Sequence, residues 1–101
     1  MTTTHPRCLL TIVCEALIAG RIEADLARLG APGWTGTAVQ GRGDHGRREA
    51  HWENDGNVRI EVVCSRELAE RIADHLHARY YADYAMVCWL SAVEVLRPEK
   101  F

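Results

Sequence analysis

Apolar residues change their spacing repeatedly between Cys8 and Leu96, and each change marks the edge of an element. Cys8-Leu9-Leu10-Thr11-Ile12-Val13-Cys14 is almost continuously apolar and rich in β-branched residues, the form of a strand covered on both faces. From Ala16 the spacing becomes helical: Ile18, Ile22, Leu26 and Leu29 fall on one stripe, with Arg21, Glu23, Asp25 and Arg28 mostly off it. Gly30 stands where a helix C′ residue belongs, and Pro32 blocks continuation. Gly20 inside this helix costs about 1 kcal/mol relative to alanine and loosens its first turns. Trp34 to Gln40 reads as a second strand, weakened by Gly36. Val58-Arg59-Ile60-Glu61-Val62-Val63 alternates, placing Val58, Ile60 and Val62 towards a core and Arg59 and Glu61 opposite. Ser65 suits the N-cap of a second helix carrying Leu68, Ile72 and Leu76, with Ala69 and Ala73 beside them. That helix ends near Tyr80, and after Tyr81-Ala82-Asp83-Tyr84 a last strand runs from Ala85 to Leu96.

The order β-α-β-β-α-β predicts an α+β, ferredoxin-like domain: a four-stranded antiparallel sheet with both helices on one face. Both faces of the first and last strands are nonetheless apolar. In the last strand Met86, Cys88, Leu90 and Ala92 oppose Val87, Trp89, Val93 and Val95. A monomer would present the uncovered face as a large apolar patch, so the open side is expected to be buried against other subunits.

Between the second and third strands lies a polar stretch from Gly41 to Gly56, far longer than a hairpin requires. It contains Gly41-Arg42-Gly43 and the pair Arg47-Arg48. Glycine-freed backbone amides together with guanidinium groups suit an anionic, phosphate-sized ligand. Trp52 is the one large apolar side chain there, and two roles stand open for it: packing on the body or anchoring a partner. His45 and His51 lack a third ligand at a known spacing and read as solvated.

Composition narrows the classes. The 101 residues make one domain with a net charge of -2, against broad nucleic-acid binding. No apolar run is long enough for a membrane span, so no direct membrane insertion is expected; Met1 to Pro6 reads as a short flexible arm rather than a leader, and a cytoplasmic location follows as the default. Cys8, Cys14, Cys64 and Cys88 form no C-x-x-C and read as reduced packing residues. His75 and His77, two apart on a helix, face different ways and suggest no site. No nucleophile–base pair stands out, so an enzyme is not expected.

Several blocks in this order resemble the PII signalling superfamily, and more narrowly its PII-like members associated with bicarbonate uptake and carboxysomes. They are Gly30-Ala31-Pro32-Gly33-Trp34-Thr35 leading to Gly41-Arg42-Gly43; Asn57-Val58-Arg59-Ile60-Glu61-Val62; Ala69-Glu70-Arg71-Ile72-Ala73-Asp74; Asp83-Tyr84-Ala85; and Ala92-Val93-Glu94-Val95-Leu96. The resemblance implies a homotrimer with adenine-nucleotide sites in the clefts between subunits, a mobile T-loop over residues 42–56 and a short tail over 97–101. ADP or AMP is the expected regulatory ligand, with ATP and cyclic AMP as alternatives and bicarbonate a candidate second ligand. By position, Thr35 and Gly41, Arg42 and Gly43 match the loop base; Arg47 or Arg48 matches a phosphate-reaching arginine; Val63 matches a backbone contact. Tyr84, Ala85 and Met86 match a turn closing over the ligand from the adjoining subunit, and Arg97 a C-terminal phosphate ligand. The implied partner is a bicarbonate transporter or a carboxysome-linked protein.

Two features of the wider family are missing. The loop contains no tyrosine, so uridylylation is unsupported, and no counterpart of the groups that hold 2-oxoglutarate follows Gly43-Asp44-His45. Nor does the chain end in the paired-cysteine tail of some relatives. A CutA-like trimeric metal-binding protein is the alternative, disfavoured by the dispersed cysteines and histidines. An ACT-like amino-acid-binding domain ranks behind it.

Overall fold

A computed structural model describes residues 2–40 and 56–101. It comprises β1 (His5–Glu15), α1 (Ala16–Leu29), β2 (Thr35–Val39), β3 (Asn57–Cys64), α2 (Arg66–Tyr80) and β4 (Val87–Val95), followed by a 3-10 turn, Pro98–Lys100. The four strands form one antiparallel sheet in the order β2-β3-β1-β4, the ferredoxin-like topology that the element order predicts.

The strand register decides which side chains meet the helices. Leu10 and Ile12 on β1 and Ile60 and Val62 on β3 are fully buried, and they pack with Ile18, Ile22 and Leu26 of α1 and Ala69, Ile72 and Leu76 of α2. Burying each such aliphatic side chain is worth roughly 1.5–3 kcal/mol, so this layer carries most of the fold's stabilisation. Cys8, Cys14 and Cys64 are buried here as free thiols, and Cys88 is half-buried. Burial, reinforced by Glu15 and Glu23, pushes the Cys14 thiol up to about 11, which keeps it a protonated packing group.

Both helix ends follow local rules. Gly30 adopts φ 97° and donates its amide to Ala27, while the Ala31 amide reaches Leu26, the two bonds of a Schellman motif. A side chain at residue 30 would meet the left-handed penalty, which is why glycine belongs there. Ser65 caps α2 by accepting from the Leu68 amide at 3.2 Å. The first helix runs unbroken through Gly20 from Ala16.

Three sequence expectations are corrected. The first strand begins at His5, not Cys8: His5 and Pro6 pair with Val95 and Glu94 instead of fraying, because β4 is long enough to offer them partners. The last strand begins at Val87, with Ala85 and Met86 outside it. Asp25 is not a surface residue of α1 but is 7% exposed. Its carboxylate accepts from the Tyr80 hydroxyl at 2.5 Å, from His75 Nε2 at 3.0 Å and from Arg28 at 3.0 Å. Because an ionised carboxylate only accepts, the His75 proton sits on Nε2. The cluster ties α1 to the C-terminal end of α2, 55 residues away in sequence.

Burial alone would raise the Asp25 pKa, but the hydrogen bonds from Tyr80 and His75 and the charges nearby overcome it and hold the carboxyl below its usual value. A carboxylate with a depressed folded pKa contributes stability that is present above its unfolded pKa, about 3.9, and lost as pH falls through the folded value. Asp25→Ala should cost about 1.5–3 kcal/mol at neutral pH, since it strands the buried Tyr80 hydroxyl. Urea melts at fixed protein concentration should show this gap narrowing below about pH 4; a pH-independent gap would contradict the assignment.

Candidate functional site

The sheet places the sequence-derived site residues in three separate locations. Thr35 opens the edge strand β2 opposite Glu61, and Val63 lies two residues further along β3, so both fall on the face not covered by helices. Tyr84, Ala85 and Met86 lie at the opposite edge, just before β4. Three strand spacings separate those edges, roughly 14 Å, so Thr35 and the Tyr84 turn do not share a contact within one chain. Arg97 lies beyond the far end of β4, about 27 Å along the strand from Val87. Gly41, Arg42, Gly43, Arg47 and Arg48, like His45, His51 and Trp52, lie outside the described residues.

The Tyr84 turn is held from several directions. The amides of Asp83 and Tyr84 return to the Tyr80 carbonyl at 3.1 and 3.0 Å. The Tyr84 hydroxyl accepts from Arg21 at 2.6 Å, and the same guanidinium lies 5.4 Å from the Tyr84 ring centroid, within cation–π range. The Ala85 amide donates to Glu15 Oε2 at 3.0 Å. The Met86 side chain is buried in the core at 8% exposure, so only its backbone is offered outward. The Tyr81 hydroxyl accepts the Cys88 amide at 3.1 Å, fixing where β4 starts. Segment 81–86 is therefore a pre-set turn, with its backbone direction imposed by α1, β1 and the end of α2.

Sequence reasoning missed Glu15 and Arg21. Their contacts are with residues 70 and 63 positions away, and no local period signals them. Glu15 stands at the N-cap of α1 but makes no cap hydrogen bond there, and glutamate is not among the side chains that favour that position.

The uncovered face holds Leu9 and Val13 of β1, Val63 of β3 and Val87, Trp89 and Val93 of β4, with Arg59 and Glu61 towards β2. Val87 and Trp89, on the edge strand β4, are 53% and 43% exposed, large values for apolar side chains of this size. Among the described residues no cluster of three potential metal ligands occurs, and no helix is long and apolar enough to cross a membrane.

The model of the family described as nitrogen regulatory protein P-II matches residues 7–100, nearly the whole chain. The chain belongs to the P-II family. Solved structures agree. A candidate PII-like signalling protein from Thermus thermophilus is 36% identical, with a TM-score of 0.82 over 99% of this chain and 98% of that one. CPII from Thiomonas intermedia, a nitrogen regulatory PII-like protein bound to ADP, AMP and bicarbonate, is 25% identical, with a TM-score of 0.88 over 100% and 98% of the two chains. A second structure of that protein, bound to ADP and bicarbonate, shares the fold at 24% identity and a TM-score of 0.88 over 100% and 99%. Within this P-II chain, the Arg21 contact makes a local claim that exchange can check. Arg21→Met should leave the melting temperature within a few degrees, the contact being exposed, but speed amide exchange at Tyr84 and Ala85. Unaltered exchange there would mean that the guanidinium does not hold the turn.

Proposed function

We propose that this P-II family member is a signalling protein, not an enzyme, which binds adenine nucleotide, ADP or AMP foremost, in clefts between the subunits of a homotrimer. The single observation that carries the reading is the split of its candidate contacts between opposite edges of one sheet. Thr35 and Val63 belong to the β2–β3 side, and Tyr84, Ala85 and Met86 to the β4 side. A copy whose β4 edge approaches the β2 edge of the next makes a heterologous contact, and such contacts close into a ring under rotation. The apolar open face, with Trp89 and Val87 outward, supplies the surface such a ring would bury. Support for the ligand comes from the Thiomonas CPII structures, which contain ADP, AMP and bicarbonate.

In this reading Thr35, Gly41, Arg42, Gly43 and Val63 of one subunit meet Tyr84, Ala85 and Met86 of the next. Arg47 or Arg48 reaches phosphate, and bicarbonate binds near the loop base as a second ligand. Arg97, beyond the end of β4 opposite the turn, would reach such a cleft from a subunit other than the one supplying that turn. Residues 42–56 act as the T-loop, and the nucleotide shifts their population of conformers only by its differential affinity for them. The regulated process is inorganic-carbon uptake or carboxysome function in the cytoplasm, with a bicarbonate transporter or carboxysome-linked protein as the partner.

Two measurements test this. Sedimentation should show a trimer for the wild type, and Trp89→Lys, which places a charge on the buried face, should shift it to monomer. A monomeric wild type would remove the clefts altogether. Titration calorimetry with ADP, AMP, ATP and cyclic AMP, each with and without bicarbonate, should show saturable binding below millimolar concentration. The double variant Arg47→Ala/Arg48→Ala should weaken ADP by about tenfold or more, since a charge-assisted hydrogen bond is worth roughly 1.5–3 kcal/mol. Superimposable curves for variant and wild type would place the phosphate elsewhere.

A further inference from the structure

One row of residues crosses the sheet at the end where the chain leaves β2 and returns to β3. Val39 of β2 pairs with Asn57 of β3, and Asn57 pairs with Glu15, the last residue of β1. On the other flank of β1 the ladder to β4 ends two residues earlier, at Val13↔Val87. Continuing that register would set Glu15 opposite Ala85, but β4 has not begun there. The backbone cannot complete the row, and the Glu15 side chain does: its Oε2 accepts the Ala85 amide at 3.0 Å. The next residue, Ala16, donates its amide to the Gly56 carbonyl at 2.8 Å, fixing the point at which the chain re-enters the sheet.

Residues 15 and 16 thus hold two segments at once, Gly56–Asn57 by backbone and Ala85 by side chain. The carboxylate makes no cap hydrogen bond to α1 and reaches the Ala85 amide. A half-buried carboxylate bonded to a backbone amide is a strong, directional contact. Ala85 is flanked by residues held on independent supports, Tyr84 by Arg21 and Met86 by the core. Alongside the Val13–Val87 pairing and the seating of Met86 in the core, Glu15 links the 84–86 backbone to the end of β1, and through the Glu15–Asn57 and Asn57–Val39 pairings to those strand ends.

We infer that Glu15 is a positioning residue that couples the Tyr84–Met86 turn to the strand ends at Val39 and Asn57, so that nucleotide contact at the turn is felt where the polar segment is rooted. This inference rests on the nucleotide reading above. In a ring, the turn of a subunit would serve one cleft and its loop root another, so the same carboxylate would connect neighbouring sites.

The test uses the full-length protein, ADP and amide exchange followed over residues 36–40, 56–60 and 84–87. In wild type, saturating ADP should slow exchange in all three segments. Glu15→Ala, and Glu15→Asp, whose shorter arm falls short of Ala85, should still sediment as wild type. Both should keep protection on adding ADP at 84–87 and, by direct contact at the loop base, at 36–40, lose it at 56–60, and bind ADP about fivefold or more weakly, the low end of measured coupling between sites. Glu15→Gln retains an acceptor oxygen and should keep the wild-type pattern, which a requirement for mere charge would not allow. If Glu15→Ala does not fold, the comparison of Glu15→Asp with Glu15→Gln carries the test. Wild-type protection at 56–60 in ADP-saturated Glu15→Asp would overturn the coupling while leaving nucleotide binding intact. Failure of the wild type to bind ADP at all would instead overturn the nucleotide reading, and the coupling with it.

Discussion

A sheet covered by helices on one side has a second side to account for, and in this chain that side is apolar along β1 and β4. Everything proposed for function depends on how that surplus is resolved. Burial of Leu10, Ile12, Ile60 and Val62 beneath the helices is sufficient to close one core. It leaves Val87 and Trp89 outward on the strand that also forms one edge of the sheet. Apolar surface beside an unpaired strand edge is a standing invitation to association, and soluble monomers rarely leave such a surface bare.

The strand order gives this association a consequence beyond solubility. With β2 and β4 at opposite edges, a ligand site assembled from both cannot exist in one copy. In the proposed assembly oligomerisation and ligand binding are geometrically a single event, since each proposed cleft takes its floor from one subunit and its turn from another. A ligand in such a cleft stabilises the assembly by mass action, and the assembly pre-forms the cleft.

Most of the fold was legible because its signals are periodic. The near-continuous apolar run of β1, the stripe Ile18–Ile22–Leu26 and the alternation Val58–Ile60–Val62 each declare an element and a buried face, and Gly30 and Ser65 mark helix ends through local geometry. The failures share one physical cause: they concern residues whose partners lie far along the chain. Asp25 looks like a surface acid until Tyr80 and His75 are brought over it, and His5–Pro6 look like a frayed arm until β4 extends beside them. The candidate site was legible only as a set of residue types. That Thr35, Tyr84 and Arg97 fall in three places is a property of strand order, which no single motif encodes.

Two carboxylates show how polar groups set a turn that the hydrophobic layer cannot. The core fixes α1 and α2 against the sheet to within their packing, but it has no means of aiming the backbone between Tyr80 and Val87. Asp25 holds the Tyr80 hydroxyl where α2 ends, Glu15 holds the Ala85 amide where β4 has yet to begin, and Arg21 holds the Tyr84 hydroxyl between them. All three come from one continuous stretch, the end of β1 and the first three turns of α1. That stretch also receives the returning chain through the Ala16–Gly56 bond. The direction of the turn and the root of the long polar segment are consequently referred to the same rigid element, and a displacement at either is a displacement relative to α1 rather than an independent local motion.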